Sequence, residues 1–279
     1  MTLTRRLSGL IRLVHPFPSI LDGVVAGAVA LLAGAAGGDA LRVGLAMTLL
    51  QFGIGATNDL VDAERDAGQK PGKPIPRGLV RRDVARAVAV GAFGGGLGLA
   101  AMSGPGLAAL AVAVIVIGLA YDLRLKGTHW SWLPFAVGIP ILPVFGWLAA
   151  SDGLPAPFLV LVPTAVLAGA ALAVANALAD VERDRAAGVA SIATELGAFR
   201  AWLLHAALLA TVLVAAVVSV VAFGGTPGEI GLVGLAGLVA TAGAAAAQGG
   251  GPARRERGWE AEAIGVALVA IAWTWAVLV

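Results

Sequence analysis

The run FLVLVPTAVLAGAALAVANALADVERDR, residues 158–185, decides the fold. Its segment 158–179 carries no charged side chain, and about 20 apolar residues in a helix cross the core of a bilayer. Of the 279 residues in the chain, 59% are hydrophobic and 13% are charged, about half the charged fraction of a soluble domain. Lipid restricts the backbone to helices or closed barrels, and these runs lack the alternation of barrel strands. The sequence therefore predicts an all-α integral membrane protein.

Gly, Pro and charged residues divide the chain into nine apolar segments, which predict nine transmembrane helices in a single domain over residues 1–279. The predicted spans are 17–36, 41–58, 84–102, 106–121, 132–150, 158–179, 200–223, 228–247 and 261–279. With this count, Arg42 is the only one of the 19 Lys and Arg residues on the opposite side from the N-terminus. Because Lys and Arg collect in cytoplasmic loops, we expect a cytoplasmic N-terminus, cytoplasmic long loops and an outside C-terminus, in the inner or plasma membrane of the cell.

Cysteine and charge content exclude several classes of function. The chain has no cysteine, which excludes disulfides, thiolate zinc sites and cysteine nucleophiles. The net charge of +2 does not indicate a nucleic-acid partner, because excess arginine in a membrane protein marks its cytoplasmic loops. With these classes excluded, the candidate functional residues are the acidic residues at the ends of the apolar segments.

Two matching acidic motifs follow predicted spans two and six. They are Asn58-Asp59-x-x-Asp62-x-x-x-Asp66 and Asn176-x-x-x-Asp180-x-x-x-Asp184. Both contain the sequence Asp-x-Glu-Arg-Asp, which predicts two pseudo-repeated halves that face each other across a central cavity. On a helix, the Asp residues of each motif share one face, whereas Glu64 and Glu182 point away from it.

Like charges on one helix face repel each other, so the converging Asp residues need a counterion. Mg²⁺ is the expected one, because it takes oxygen ligands and is commonly held by one or two carboxylates plus substrate phosphates. Two or three such ions around a diphosphate would make it a good leaving group, and an acceptor in the apolar cavity would attack the resulting allylic cation. The predicted metal ligands are Asn58, Asp59, Asp62, Asp66, Asn176, Asp180 and Asp184. Asp62, Asp66, Asp180 and Asp184 are also predicted to be catalytic.

At these residues the sequence resembles the UbiA superfamily of intramembrane aromatic prenyltransferases, in particular its 4-hydroxybenzoate polyprenyltransferase-like members. That family pairs N-D-x-x-D-x-x-x-D after its second helix with D-x-x-x-D after its sixth. Residues 73–78, which read KPIPRG, resemble the basic segment that follows the first motif of the family. The resemblance implies a nine-helix bundle around a cavity open to lipid, Mg²⁺, a polyprenyl diphosphate donor and a small lipophilic or aromatic acceptor. It assigns Lys73 and Arg77 to substrate binding.

Two positions depart from the family pattern. The family commonly has Tyr-x-x-x-Lys after helix four, whereas Tyr121 and Lys126 are one residue further apart, with Arg124 between them as a competing cation. We predict that Tyr121 and Lys126 are catalytic groups at the diphosphate and that Arg124 binds substrate. Many members begin helix one with Arg-Pro where this chain has His15-Pro16, which leaves the acceptor-binding role of that Arg open.

A few more polar residues are candidates for substrate binding. Lys70, Lys73 and Lys126 are the only lysines, and all lie in loops beside the acidic motifs. Asp22 lies inside predicted span one, where an ionisable residue indicates function; it is predicted to orient an acceptor hydroxyl, to act as a base or to pair with a nearby arginine. His15, near the same end of that span, is a candidate proton acceptor.

The favoured function is Mg²⁺-dependent transfer of a polyprenyl chain to an acceptor that we expect to be aromatic, like a quinone precursor. The alternatives are a membrane terpene cyclase that ionises the donor without an acceptor, and prenyl transfer to a lipid or glycerol-phosphate acceptor or to a sugar-phosphate acceptor. A cation transporter is disfavoured, because transport sites lie near the bilayer midplane and these acids lie at span ends.

Overall fold

The computed structural model describes residues 3–68, 72–248 and 251–279, and within these ranges it contains helices and no strands. The helices are α1 (Leu3–Leu13), α2 (Pro16–Leu32), α3 (Gly37–Asp62), α4 (Arg82–Ala101), α5 (Pro105–Ala120), α6 (Leu133–Gly138), α7 (Ile141–Leu148), α8 (Phe158–Ala186), α9 (Ile192–Leu196), α10 (Ala198–Ala222), α11 (Pro227–Ala247) and α12 (Pro252–Leu278). A π-helical turn, Tyr121–Leu125, continues α5. Lys70 lies outside the described residues.

Seven helices are long and apolar enough to cross a membrane: α3, α4, α5 with its π-helical turn, α8, α10, α11 and α12. Helices α1 and α2 form a pair bent by 55°, which adds an eighth crossing if the pair is one span. The predicted fifth span contains the shorter helices α6 and α7, which together cover Leu133–Leu148. Each of the nine predicted segments thus contains helix, and seven of them meet the length and composition of a span; the count of nine stays a prediction.

Several helices extend beyond the apolar segments that predicted them. Helix α8 continues to Ala186, well past predicted residue 179, and α12 begins at Pro252 rather than at 261. A span prediction ends at the first charged residues, because charge is costly in lipid. Arg and Glu are nevertheless good helix formers, so a helix continues through them once it has left the hydrocarbon core.

Proline fixes where many of the helices begin. Pro16, Pro105, Pro227 and Pro252 each occupy the first turn of their helix, where the missing N–H is not needed. The bend between α1 and α2 has a related cause. A residue before proline is disfavoured in the right-handed helical region, and His15 lies at φ 49°, in the left-handed region. The chain therefore turns at His15 instead of continuing α1 into α2.

Small residues allow neighbouring helices to pack closely. A Cβ atom added at Gly23 of α2 would lie 1.9 Å from Thr48 Oγ1 of α3. A Cβ atom added at Gly265 of α12 would lie 2.1 Å from the backbone nitrogen of Ala240 in α11. Lipid supplies no hydrophobic force between helices, so close backbone contact of this kind holds a membrane bundle together.

Two buried polar contacts join α10 to α12. The ring of His205 lies 2.7 Å from Glu262 Oε1, and the indole N–H of Trp273 donates to Ser219 Oγ at 2.7 Å. His205 is 2% exposed and Glu262 is fully buried. Both contacts lie away from the acidic motifs, so His205 and Glu262 have a packing role between α10 and α12.

Candidate active site

The carboxylates of the first acidic motif are buried and paired with cations at the end of α3. Asp59 is 2% exposed; it accepts a hydrogen bond from His15 Nε2 at 2.9 Å and pairs with the ammonium group of Lys73. Asp62 is 3% exposed and pairs with Lys126. The left-handed backbone of His15 thus turns its ring toward Asp59. The structure brings together five residues that the sequence proposed separately, in two ion-paired groups.

Asp66 lies just beyond the end of α3 and shares the ammonium group of Lys73 with Asp59. We expected Asp59, Asp62 and Asp66 on one helical face, but α3 ends at Asp62 and residues 63–67 form turns. The N–H of Asp66 nevertheless donates to the carbonyl oxygen of Asp62 at 2.8 Å, the four-residue hydrogen bond of an α-helix, so the expected register continues to Asp66. Outside the helix, Asp66 Oδ2 lies 3.9 Å from Lys73 Nζ, so one ammonium group is shared between Asp59 and Asp66.

The second motif keeps its helical geometry. Asn176, Asp180 and Asp184 all lie within α8, and all three line the same cavity. Arg183 donates to Asp180 Oδ1 at 2.7 Å. Glu182 points the other way and accepts a hydrogen bond from Arg255 of α12 at 3.0 Å.

Glu64, the counterpart of Glu182 in the first motif, accepts a hydrogen bond from Arg82 at 3.1 Å and is largely exposed. In each motif the glutamate therefore pairs with an arginine that does not line the cavity. The predicted separation of the glutamates from the aspartates is confirmed.

Asp122 belongs to the site, although the sequence did not single it out. It is 5% exposed, and its Oδ1 accepts a hydrogen bond from Asn58 Nδ2 at 2.7 Å. A carboxylate accepts hydrogen bonds and does not donate them, so this contact fixes the amide of Asn58 with its NH₂ group toward Asp122. The amide oxygen of Asn58 is then left for another ligand. The signal was present in the sequence: Asp122 is an acid directly after Tyr121, at the end of predicted span 106–121.

The π-helical turn explains the extra residue between Tyr121 and Lys126. The backbone N–H of Lys126 donates to the carbonyl oxygen of Tyr121 at 2.8 Å, which is the five-residue hydrogen bond of a π-helix. Lys126 Nζ lies 5.7 Å from the centre of the Tyr121 ring, and both residues line the cavity. The wider turn absorbs the inserted residue and keeps both side chains on one face.

The predicted substrate residues Arg77 and Arg124 are placed differently. Both are exposed, and neither is among the residues that line the cavity. The structure therefore does not bring them to the acidic motifs.

The two motifs meet at one end of a cavity of about 940 Å³. Its polar end is lined by Asn58, Asp66, Lys73, Tyr121, Lys126, Asn176, Asp180 and Asp184, together with Arg12, Arg65 and Arg183. Asp59 and Asp62 do not line the cavity themselves. They form ion pairs with Lys73 and Lys126, which do. Most of the remaining wall is apolar, with Phe17, Ile54, Phe135 and Leu161 among its residues, and it also contains Asp22. Such a cavity suits a ligand with an anionic head and a hydrocarbon tail.

The site fits a metal ion that takes part of its ligands from a substrate. Among the described residues, no three His, Asp or Glu side chains are close enough to hold an ion by themselves. Asp59 Oδ2 and Asp122 Oδ2 are buried and accept no hydrogen bond from the part of the chain that the structure describes. Mg²⁺ is commonly held by one or two carboxylates plus substrate phosphates, so it matches this set of oxygens.

The fold and the site together define a helical membrane protein with a polar site at one end of an apolar cavity. The model of the UbiA prenyltransferase family matches residues 23–246. The chain therefore belongs to the UbiA prenyltransferase family, as the motifs predicted. With its seven apolar helices, it is a multi-pass integral membrane protein.

Similar proteins agree with this membership. Digeranylgeranylglyceryl phosphate synthase of Methanopyrus kandleri is 36% identical over 148 residues, which are 52% of this chain and 53% of that protein. The chain thus matches about half the length of that relative. The synthase of the same name from Halobacterium salinarum strain R1 is 33% identical over 203 residues, 69% of this chain and 71% of the relative. A UbiA homologue from Archaeoglobus fulgidus bound to GPP and Mg²⁺ shares the fold, with a TM-score of 0.70 and 17% identity over 94% of this chain and 99% of that one.

Proposed function

We propose that the protein transfers a prenyl group from a prenyl diphosphate to a hydroxyl group of a glycerol-phosphate lipid, in the presence of Mg²⁺. The observation that carries this proposal is the meeting of two acidic motifs and two lysines at one end of an apolar cavity. The name of the relatives describes a product with two geranylgeranyl groups on glyceryl phosphate, which supports a glycerol-phosphate lipid over the aromatic acceptor that the sequence favoured. The Archaeoglobus fulgidus homologue bound to GPP and Mg²⁺ supports the donor and the metal.

The donor diphosphate is assigned to the polar end of the cavity. Lys73, Lys126 and Tyr121 would bind its oxygens, because all three line the cavity beside the acidic motifs. The predicted ligands Asn58, Asp59, Asp62, Asp66, Asn176, Asp180 and Asp184 would hold Mg²⁺ together with the diphosphate. The metal supplies positive charge that stabilises the departing diphosphate. We retain the prediction of two or three ions.

The acceptor phosphate is assigned to Arg12. This residue lines the cavity from α1, and it forms no ion pair with any described residue, whereas Arg65 and Arg183 each pair with an aspartate at 2.7 Å. A guanidinium group matches the oxygens of a phosphate with two parallel hydrogen bonds. A glycerol-phosphate lipid would then place its phosphate at the polar end and its hydrocarbon chain along the apolar wall.

The reaction requires that water be kept from the donor. As the bond between prenyl C1 and the diphosphate oxygen breaks, the diphosphate leaves with the electron pair and the prenyl carbon becomes cationic. The apolar wall below the motifs excludes competing water, and the acceptor oxygen supplies the electron pair of the new bond.

We also retain three predictions about the whole chain: a single domain over residues 1–279, nine spans, and a cytoplasmic N-terminus.

A panel of acceptors tests this function. The purified protein in lipid is given Mg²⁺, labelled geranylgeranyl diphosphate and one of three additions: a glyceryl phosphate with one prenyl ether, an aromatic hydroxy acid, or no acceptor. We expect a diether from the first addition, and no diether when Mg²⁺ is removed with a chelator. Prenylation of the aromatic acid alone would contradict the lipid acceptor, and a cyclic hydrocarbon without acceptor would indicate a cyclase.

A matched pair of variants tests whether the acidic motif carries the reaction. Asp180→Asn changes a carboxylate that lines the cavity, and we expect it to lower turnover about 100-fold, as loss of one group that stabilises developing charge does. Glu182→Gln makes the same chemical change two residues away, at an exposed pair with Arg255, and is expected to stay within about twofold. Equal losses in both variants would overturn the assignment of the site.

A further inference from the structure

Two polar side chains lie deep in the cavity, away from the acidic motifs. Asp22 of α2 and Gln51 of α3 both line the cavity, where the neighbouring residues Leu21, Val25 and Ile54 are apolar. Within the described part of the chain, neither side chain makes a hydrogen bond, and Asp22 has no ion-pair partner. A carboxylate in an apolar wall is costly unless a ligand satisfies it, and an ionisable residue within a membrane span indicates function.

The packing of α2 against α3 fixes the depth of Asp22. At the polar end, a Cβ atom added at Gly55 would lie 3.0 Å from the backbone oxygen of Val14, next to His15. Deeper in the bundle, Gly23 packs against Thr48 and Gly44. The two helices are therefore antiparallel. Asp22, seven residues after His15, lies roughly 10 Å below the contact between His15 and Asp59.

The same register places Gln51 between these two levels. It precedes Gly55 by four residues and follows Thr48 by three, so it lies roughly 6 Å below the polar end and about 4 Å above the level of Gly23. Asp22 and Gln51 thus occupy neighbouring depths on adjacent helices, on the wall of one cavity.

The chemistry of the pair indicates what it binds. A carboxylate accepts hydrogen bonds, and the amide of a glutamine can donate them. One acceptor beside one donor is the complement of a hydroxyl group, which donates its proton and accepts at its oxygen. A prenyl tail offers neither. We propose that Asp22 and Gln51 bind the reacting hydroxyl of the acceptor, and that Asp22 accepts its proton. This inference rests on the proposed transfer to a hydroxyl group.

The proposed step is balanced without a further reactant. The acceptor oxygen forms a bond to prenyl C1 as the bond from C1 to the diphosphate oxygen breaks, and the diphosphate leaves with that electron pair. The hydroxyl proton moves to the Asp22 carboxylate. Gln51 holds the acceptor oxygen through its NH₂ group. An acceptor with a free hydroxyl is then alkylated on oxygen, which gives an ether.

A binding comparison tests this assignment without turnover. The ligands are a glyceryl phosphate with one prenyl ether and its analogue in which hydrogen replaces the free hydroxyl. We expect the wild-type protein to bind the hydroxyl form about tenfold more tightly, as one hydrogen bond to a charged group implies. In Asp22→Asn and in Gln51→Leu this preference should fall below about twofold, while the dissociation constant of the prenyl diphosphate with Mg²⁺ stays unchanged.

Turnover and a charge-matched control complete the test. We expect ether formation by Asp22→Asn to fall about 100-fold, the usual contribution of a positioned proton acceptor. Asp39→Asn removes a carboxylate at the far end of α3, where Asp39 pairs with Arg42, and should behave as wild type. Use of two variants keeps the test valid if one of them fails to fold, which a thermal melt detects.

The outcomes separate this inference from the proposed function. Ether formation at the wild-type rate by Asp22→Asn would overturn the inference and leave the proposed function intact. The same holds if the wild-type protein does not prefer the hydroxyl ligand but still forms the ether. If the wild-type protein forms no ether, the proposed function is overturned, and a hydroxyl preference that disappears in Asp22→Asn would still support the binding role.

Discussion

Lys126 and Arg124 carry the same charge two residues apart, yet only one of them is in the site. Lys126 lines the cavity, pairs with Asp62 and lies 5.7 Å from the centre of the Tyr121 ring. Arg124 is exposed and lies outside the cavity lining. The position of a cation, rather than its presence in the loop, should therefore decide whether it contributes to donor binding.

Kinetics of the two alanine variants test this difference. We expect Lys126→Ala to raise the apparent KM for the prenyl diphosphate about tenfold or more, because a charge-assisted contact to phosphate is lost. Arg124→Ala should leave it within about twofold. Initial rates at varied donor and saturating acceptor give both values. A change in acceptor KM alone for Lys126→Ala, or equal effects of the two variants, would contradict the assignment of Lys126 to the diphosphate.

At the scale of residues, the sequence predicted the features that depend only on the spacing of residues along one helix. Spacing along a helix separated Asp180 and Asp184 from Glu182, and the structure agrees. It could not show that Asn58 would contact Asp122, because 64 residues separate them and only the packing of α3 against the end of α5 brings them together. Contacts of that range leave no periodic signal in a sequence.

At the scale of elements, the π-helical turn Tyr121–Leu125 determines the geometry of the site. In an α-helix, residues four apart lie on one face, so a spacing of five would turn Lys126 away from Tyr121 by roughly a further 100°. The π-helical turn contains more residues and compensates for the insertion. The turn is thus the reason that an unusual spacing still delivers both side chains to the cavity.

Deletion and insertion within the turn test this explanation. Deletion of Arg124 restores a spacing of four, so an α-helical turn should present Tyr121 and Lys126 together, and we expect turnover within about tenfold of wild type. Insertion of one alanine after Leu123 adds a further 100° and should reduce turnover about 100-fold through loss of Lys126 from the site. The measurements are turnover and donor affinity for both variants in lipid. A deletion that is as damaging as the insertion would contradict this explanation.

The N-terminal elements show why hydropathy alone misses some helices. Predicted span one begins at residue 17, but the structure forms helix α1 before it, bent by 55° from α2. Helix α1 is too polar to register as a span, since it carries Arg5, Arg6 and Arg12. Leu7 and Ile11 are more than half exposed on its surface, which fits a helix that lies along the membrane interface. An interfacial helix does not need a run of about 20 apolar residues, so a search for such runs does not find it.

At the scale of the whole molecule, the fold class followed from composition, but the number of crossings did not. Seven helices are long enough to span a membrane. Helices α6 and α7 together cover Leu133–Leu148, roughly 24 Å at 1.5 Å per residue, against a hydrocarbon core of about 30 Å. Length alone does not decide whether this segment crosses. In the structure, Phe135 of α6 packs against Gly169 of α8 and Trp147 of α7 packs against Phe158, where α8 begins, so the segment runs away from the end that carries the acidic motifs. This packing favours a crossing.

The absence of cysteine makes the topology directly measurable, because each introduced cysteine is the only thiol in the chain. Asp152 and Glu64 are both exposed, on opposite sides of the α6–α7 segment along the chain. If nine spans are correct, a membrane-impermeant thiol reagent should label Asp152→Cys on intact cells, and should label Glu64→Cys only after permeabilisation. Labelling of both from the same side would contradict the predicted crossing of α6 and α7. That result would also contradict the meeting of the two acidic motifs, because α8 would then carry Asp180 and Asp184 to the opposite face from Asp66.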